Sequence, residues 1–418
     1  VRELLDTWPP LPIIIKCWLY STSTSEYPIP GAITALKHRD RVRQIQLSHV
    51  TRPLLDILET AMQEPYPVLT TLELWSDDVI APVLPDTFLG GSAPCLQRIS
   101  LEGIAFPALP KLLIFTANLV SLLLDKIPPD TVGYMSPQVM ATSLSRLTWL
   151  KFLRLDFLPP GLPPIGAPDI HQNTRQKTRV VLPSLTWLEF QGVNEYLEDF
   201  VSRIEAPLLD SINIKFHDRI IFDVPQLLLF ITHSEKLNSP NEANINFHSD
   251  FVQITLSPPR GTVGNITLQV ICTVPLWQIL SLAQICNQAI PLLSGVKWLE
   301  ICGGEYEAST REWTNGIKIA QWLGIFYPFI AVANLHVTED LGQFTASALC
   351  EVTGRQAAEV LPALRNLWLE GPYSELSEYW ERNSWGFVAA RNLPVAFCLH
   401  IRDWINNLEW AGYMKVDD

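Results

Sequence analysis

The sequence predicts an α/β fold, a leucine-rich-repeat solenoid with a parallel sheet on its concave face and helices on its convex face. Three observations predict it. The phrase apolar-x-x-apolar-x-apolar recurs along the chain, its copies stand a repeat's length apart, and the segments between copies carry helical periodicity. At 418 residues, 48% apolar and 17% charged, the chain can bury a large core, which excludes a disordered or fibrous class. One elongated body is compatible with this length, because each unit of a repeat array contacts only its neighbours.

The phrase is plainest in LPALRNLWLEG (361–371), LPSLTWLEFQG (182–192) and APCLQRISLEG (93–103). Its copies begin at Val42, Leu69, Leu96, Leu119, Leu150, Leu185 and Leu209, and again at Val296, Val332 and Leu364. The early intervals are 27, 27, 23, 31, 35 and 24 residues and the last two are 36 and 32, the spacing of an irregular, ribonuclease-inhibitor-like array with long arms. Within a copy the fourth and sixth residues alternate with exposed ones on a short strand, while the first turns into the core just before it. Each copy is therefore one strand, and a strand, loop, helix unit makes successive strands parallel.

Residues 1–41 read as an N-terminal cap and 42–371 as the repeats. Helical periodicity covers 51–65, 136–147, 194–207 and 223–233, with Asn194 and Asp223 placed as N-caps, Pro225 in the first turn, and Pro65 and Pro207 where helices stop. The Pro-rich, polar segment 159–179 reads as a loop insertion and accounts for the 35-residue interval. Between 238 and 275 the phrase degenerates. There ANINFHSDFVQITLSPP (243–259) alternates on both sides of His248-Ser249-Asp250 and reads as a hairpin, followed by a strand at 265–272 and a helix at 275–289. Residues 372–418 read as a C-terminal helical cap or tail.

Composition narrows function. A net charge of −13 argues against a nucleic-acid backbone as the main partner, since that binding rests on Lys and Arg neutralising phosphates. The stretch 324–335 is shorter than the roughly 20 residues of a bilayer span and contains Pro328, so no membrane helix is expected. Seven scattered cysteines without a C-x-x-C pair read as reduced core thiols, which places the chain in the cytoplasm or nucleus. The sequon Asn265-Ile266-Thr267 is a short pattern that recurs by chance. No phosphate-binding loop, dinucleotide fingerprint, nucleophile elbow or zinc-protease motif is present, and the eight histidines lack ligand spacing. The reading is of a non-enzymatic protein with neither cofactor nor metal.

What repetition does create is a surface. If the apolar positions face the core, the third and fifth positions of each phrase share the opposite, concave face. The candidates there are Glu73, Arg98, Phe152, Arg154, Trp187, Glu189, Asn213, Trp298, Glu300, His336 and Trp368. Trp and Arg dominate binding hot spots, so the set reads as a protein-binding groove, the other reading being that neighbouring loops cover the aromatics. Trp187 and Trp298 are each followed two places on by an acid, Glu189 and Glu300, which pairs an aromatic anchor with an acceptor.

Several segments carry a resemblance: VRELLDTWPPLPI (1–13), LKHRDRVRQIQL (36–47), MQEPYPVLTTLEL (62–74), LPDTFLGGSAPCLQRISLEGI (84–104), EYLEDFVSRIEAPLLDSINI (195–214), TLSPP (255–259) and EVLPALRNLWLEG (359–371). In this order they resemble the expanded mushroom-type family of fungal F-box proteins with leucine-rich repeats. The resemblance implies a substrate-binding region holding a protein substrate. A Skp-type adaptor and a cullin scaffold would be reached only through an F-box upstream of Val1, and the sequence, opening without Met or leader, is expected to be an interior piece of such a product. The segment 393–418 departs from the family pattern. The alternative is a repeat-type interaction or immune-type sensor domain with no ubiquitin role.

Overall fold

A computed structural model describes residues 11–18, 29–128, 134–159, 179–217, 223–259, 262–303, 319–338, 341, 345, 348–349, 359–370 and 395–398. The interior of the predicted 159–179 insertion and most of the predicted tail lie outside these residues. The chain is an α/β leucine-rich-repeat fold divided into two compact units.

The first unit holds residues 1–217, 223–238 and 263–268. Its strands are β1 (Ile13–Trp18), β2 (Val42–Ser48), β3 (Thr71–Trp75), β4 (Arg98–Glu102), β5 (Ser121–Ile127), β6 (Phe152–Phe157), β7 (Val180–Val181), β8 (Trp187–Gly192), β9 (Ile204–Glu205) and β10 (Ser211–His217). Eight of them line up as β1-β2-β3-β4-β5-β6-β8-β10, every adjacent pair parallel, while β7 and β9 pair separately. The segment expected as an N-terminal cap thus supplies a strand of its own.

The phrase explains the stacking. In β4, Ile99 and Leu101 are buried together with Leu96, whereas Arg98, Ser100 and Glu102 reach solvent. Each fully buried leucine stabilises by about 1.5–3 kcal/mol. The residue after the first apolar position adds a polar tie: Val120 O accepts from both Lys151 N and Phe152 N, and Lys151 O from both Thr186 N and Trp187 N. Repeats are therefore bonded before the strand ladder begins. The glycine closing the β4 phrase has a backbone reason, since Gly103 has φ of +63° and a Cβ there would stand 2.4 Å from Ser76 O.

Helices Arg52–Ala61, Leu109–Ile114, Pro137–Leu144, Asn194–Val201 and Pro225–Thr232 follow their strands and bury one apolar stripe, as Leu54, Leu55 and Leu58 do in the first of them. Two predicted caps are corrected. Asn194 is already helical and its Nδ2 donates to Asp223 O at 2.8 Å, so it caps nothing. Val224, not Asp223, occupies the position before Pro225. The free N–H groups of that helix are met by Glu198 from the preceding helix, whose Oε2 and Oε1 accept from Gln226 N at 2.8 Å and Leu227 N at 2.9 Å.

The second unit holds residues 218–222, 239–262 and 269–418. It contains β11 (Glu242–Phe247), β12 (Phe251–Ser257), the end of β13 (Asn265–Ile271), β14 (Trp298–Gly303), β15 (Asn334–Val337), β16 (Asn366–Glu370) and β17 (Val395–Cys398). β11 and β12 form an antiparallel hairpin across the His248-Ser249-Asp250 turn, and the order β12-β11-β14 means the chain re-enters the repeat rhythm beside the first arm of the hairpin. From β11 through β14, β15, β16 and β17 all pairs are parallel. A strand at Val395–Cys398 replaces helix in part of the predicted helical tail. Helix Pro275–Gln288 packs against helix Ile319–Phe326. Among the described cysteines, Cys17, Cys272 and Cys286 are buried, but Cys95 is exposed and Cys302 half-buried, so not all are core thiols.

Candidate functional site: the open face of the sheet

Register converts the phrase positions into rows on the face away from the core. In the first unit Ser121, Phe152, Trp187 and Ser211 form one row, and Leu123, Arg154, Glu189 and Asn213 the next. Asp156, Gln191 and Lys215 form a third row, with Asp125 at the end of β5 beside it. Every third- and fifth-position candidate of the first unit lies on this face, Glu73 and Arg98 on the adjacent strands β3 and β4.

The first row is aromatic. Phe152 is 43% exposed and its ring lies 6.4 Å from that of half-buried Trp187, tilted by 55°. The second and third rows are ionic. Arg154 Nε stands 2.7 Å from Asp125 Oδ1 and 3.7 Å from Glu189 Oε2, and Lys215 Nζ is 3.5 Å from Glu189 Oε1. Asn213 Nδ2 donates to the same Oε1 at 3.3 Å. Along the face, Gln46 Nε2 donates to Glu73, Arg98 lies 3.8 Å from Glu73, and Lys126 pairs with Glu102 at 2.8 Å. Burial pushes the Asp125 carboxyl up to about 6 despite Arg154, with Asp156, Glu102 and Glu189 adding to the rise, and burial likewise raises Asp156.

In the second unit β14, β15 and β16 present Trp298, Glu300, Asn334, His336, Asn366 and Trp368. The rings of Trp298 and Trp368 stack at 5.2 Å and 27°. Below them Glu300 accepts from Asn244 Nδ2 at 2.6 Å and lies 3.1 Å from His336 Nδ1, a ring that is 4% exposed. The hydrogen bond from His336 holds the Glu300 carboxyl below the usual range, against the effect of burial.

Glu189 and Glu300 stand beside Trp187 and Trp298 as acceptors, and within the chain their oxygens are engaged by Arg154, Lys215 and Asn213 in one case and by Asn244 and His336 in the other. Glu189 is 7% exposed. The physical reason is that a carboxylate largely removed from water needs partners, and the adjacent strands supply them. The seventh positions, Glu102, Asp125, Asp156, Gln191 and Lys215, were missed by a reading that stopped at the fifth. Their signal was available, because they continue the strand alternation two residues further.

Among the described residues no group of three or more His, Cys, Asp and Glu could hold a metal, and no helix is long and apolar enough to cross a membrane. No protein-family model and no curated protein matches the chain. Among solved structures the chain is similar to the crystal structure of a TLR13–ssRNA13 complex, with 10% identity and a TM-score of 0.27 over 92% of this chain and 48% of that one. The chain thus spans about half the length of that structure.

Proposed function

We propose that this chain is a non-enzymatic protein-recognition module that binds a protein substrate on the open face of its sheet, as the substrate-binding region of an F-box-type ubiquitin-ligase receptor. The observation carrying the recognition reading is the aromatic and ionic face itself. Phe152, 43% exposed, and half-buried Trp187 in the first unit, and Trp298 stacked on Trp368 in the second, sit on the face opposite the buried apolar positions of their strands. Large rings with an apolar body and, in Trp, a polar handle are the side chains that contribute most to protein interfaces. The ligase role is supported by the order of the resembling segments, and adaptor and cullin would act through a segment outside this sequence.

The test pairs binding with stability. Trp187→Ala and Trp298→Ala should each weaken capture of face-dependent partners by on the order of 2 kcal/mol while leaving the melting transition in place. A loss of about 3–5 kcal/mol of stability with unchanged affinity per folded molecule would show that the rings are structural instead. Co-purification of a Skp-type adaptor with the full-length gene product tests the ligase role, and its absence removes that role.

A further inference from the structure

The repeat that leads into β6 differs in charge from the chain as a whole. The protein carries a net charge of −13, yet residues 131–155 contain three cations, Arg146, Lys151 and Arg154, and no acid. Arg154 is taken up by Asp125 and Glu189 in the second row of the face. Arg146 and Lys151 are exposed, and among the described residues neither has a carboxylate within ion-pair distance. The adjacent strands do not balance them. Lys151 is bonded through its backbone to Val120 on one side and to Thr186 and Trp187 on the other, and Ser184 Oγ donates to Thr148 O at 2.7 Å. These flanking positions are all uncharged. Asp210, at the same level one strand further on, lies 3.5 Å from Lys236 Nζ.

The same end of β6 carries exposed rings. Trp149 is 61% exposed and Phe152 43%, and the Phe152 ring lies 6.4 Å from that of Trp187. Three residues apart, Trp149 and Phe152 have Cα atoms no more than about 11 Å from each other. Arg146, Trp149, Lys151 and Phe152 thus alternate cation and ring along one segment, while Leu147 and Leu150 between them are buried and fix it to the core. We infer that the N-terminal end of β6 binds an acidic protein segment, one that sets an apolar side chain against Trp149 and Phe152 and flanking Asp or Glu side chains against Arg146 and Lys151. This rests on the reading of the face as a recognition surface, extends that surface to the rim at Trp149 and names the charge of the partner. A single-stranded nucleic acid also offers stacking groups and negative charge, but its binding rests on neutralising phosphates along a basic groove. Beyond these two cations the face presents Glu102, Asp125, Asp156 and Glu189, which oppose a continuing polyanion. A short acidic segment ends before it reaches them.

Fluorescence anisotropy with the full chain and labelled Gly/Ser peptides tests this. The peptides carry a central Leu flanked on each side by a pair of Asp residues, with matched versions having Asn for Asp. At low salt the Asp peptide should bind about tenfold more tightly than the Asn peptide, the effect of two exposed ion pairs, and the gap should narrow as salt is raised. The double variant Arg146→Gln, Lys151→Gln should remove the gap and leave the Asn peptide unaffected. Trp149→Ser should weaken both peptides without moving the melting transition, because the ring is exposed. Equal binding of Asp and Asn peptides, a gap that survives the double variant, or no peptide binding overturns the inference. So does a labelled thymidine oligonucleotide that binds more tightly than the Asp peptide and depends on Arg146 and Lys151, which would make the patch a nucleic-acid site. If partner capture still depends on Trp187 while the Asp and Asn peptides bind alike, the recognition surface stands and the acidic preference falls. If capture is insensitive to Trp187 and Trp298, the recognition reading itself fails.

Discussion

At Asp125 burial and charge pull in opposite directions. Its carboxyl is largely removed from water and has three acids within electrostatic reach, and Arg154 offsets only part of the cost of ionising it. A carboxyl that titrates at about 6 instead of its ordinary 3.8 makes the folded state hold its proton more tightly than the unfolded state does. The penalty is full above pH 6 and is relieved as pH falls toward 4. Asp125→Asn does not titrate, so the stability of the wild type relative to this variant should rise by about 2–3 kcal/mol between pH 7 and pH 4. Chemical denaturation of both proteins across that window measures it, and a flat difference would mean that Asp125 ionises normally. Such pairings were only partly legible in the sequence. The alternation placed Arg154, Glu189 and Asn213 on one face, but which acid meets which base follows from register between phrases 24 to 35 residues apart. The partners of Glu189 and Glu300 on the neighbouring strands were for that reason not legible.

Elements were more legible than their ends. The period-2 alternation on both sides of residues 248–250 identified the hairpin, and the apolar stripes identified the helices, because both signals lie within a few residues of each other. Caps did not follow the same logic. Thr51 makes no side-chain cap, and the first free N–H after it, Arg52 N, donates to Asp78 Oδ2 at 3.1 Å, from the next repeat. Glu198 likewise serves helix Pro225–Thr232 from 28 residues away. At these two helix starts the acceptor belongs to the neighbouring repeat, which local sequence cannot show, whereas helix Pro137–Leu144 is capped locally by Ser136, whose Oγ accepts from Val139 N at 3.3 Å. Glu198→Ala should therefore destabilise the protein by about 1–2 kcal/mol although Glu198 lies in a different helix from the one it caps. A urea titration would register this as a lower midpoint, and an unchanged midpoint would show that solvent replaces the carboxylate without cost.

For the whole molecule the repeating phrase allowed the strands to be counted wherever it persists, and the count failed where the phrase does. β1 and β17 carry no copy of it, and the order β12-β11-β14 could not be read from a hairpin alone, since either arm could have met the next repeat. The same modularity predicts how the chain responds to damage. Each strand gains its stability from its own buried phrase and from the strands and helices beside it, so a defect should be felt first among its neighbours. Leu335 is fully buried in β15 between β14 and β16. Leu335→Ala should cost about 2–5 kcal/mol, the range for emptying a buried leucine site. Hydrogen exchange of the variant should accelerate in β14, β15 and β16 while β3, β4, β5 and β6, which belong to the other compact unit with a core of their own, keep their protection. A uniform loss of protection over both sets of strands would mean that the array unfolds as a single cooperative body.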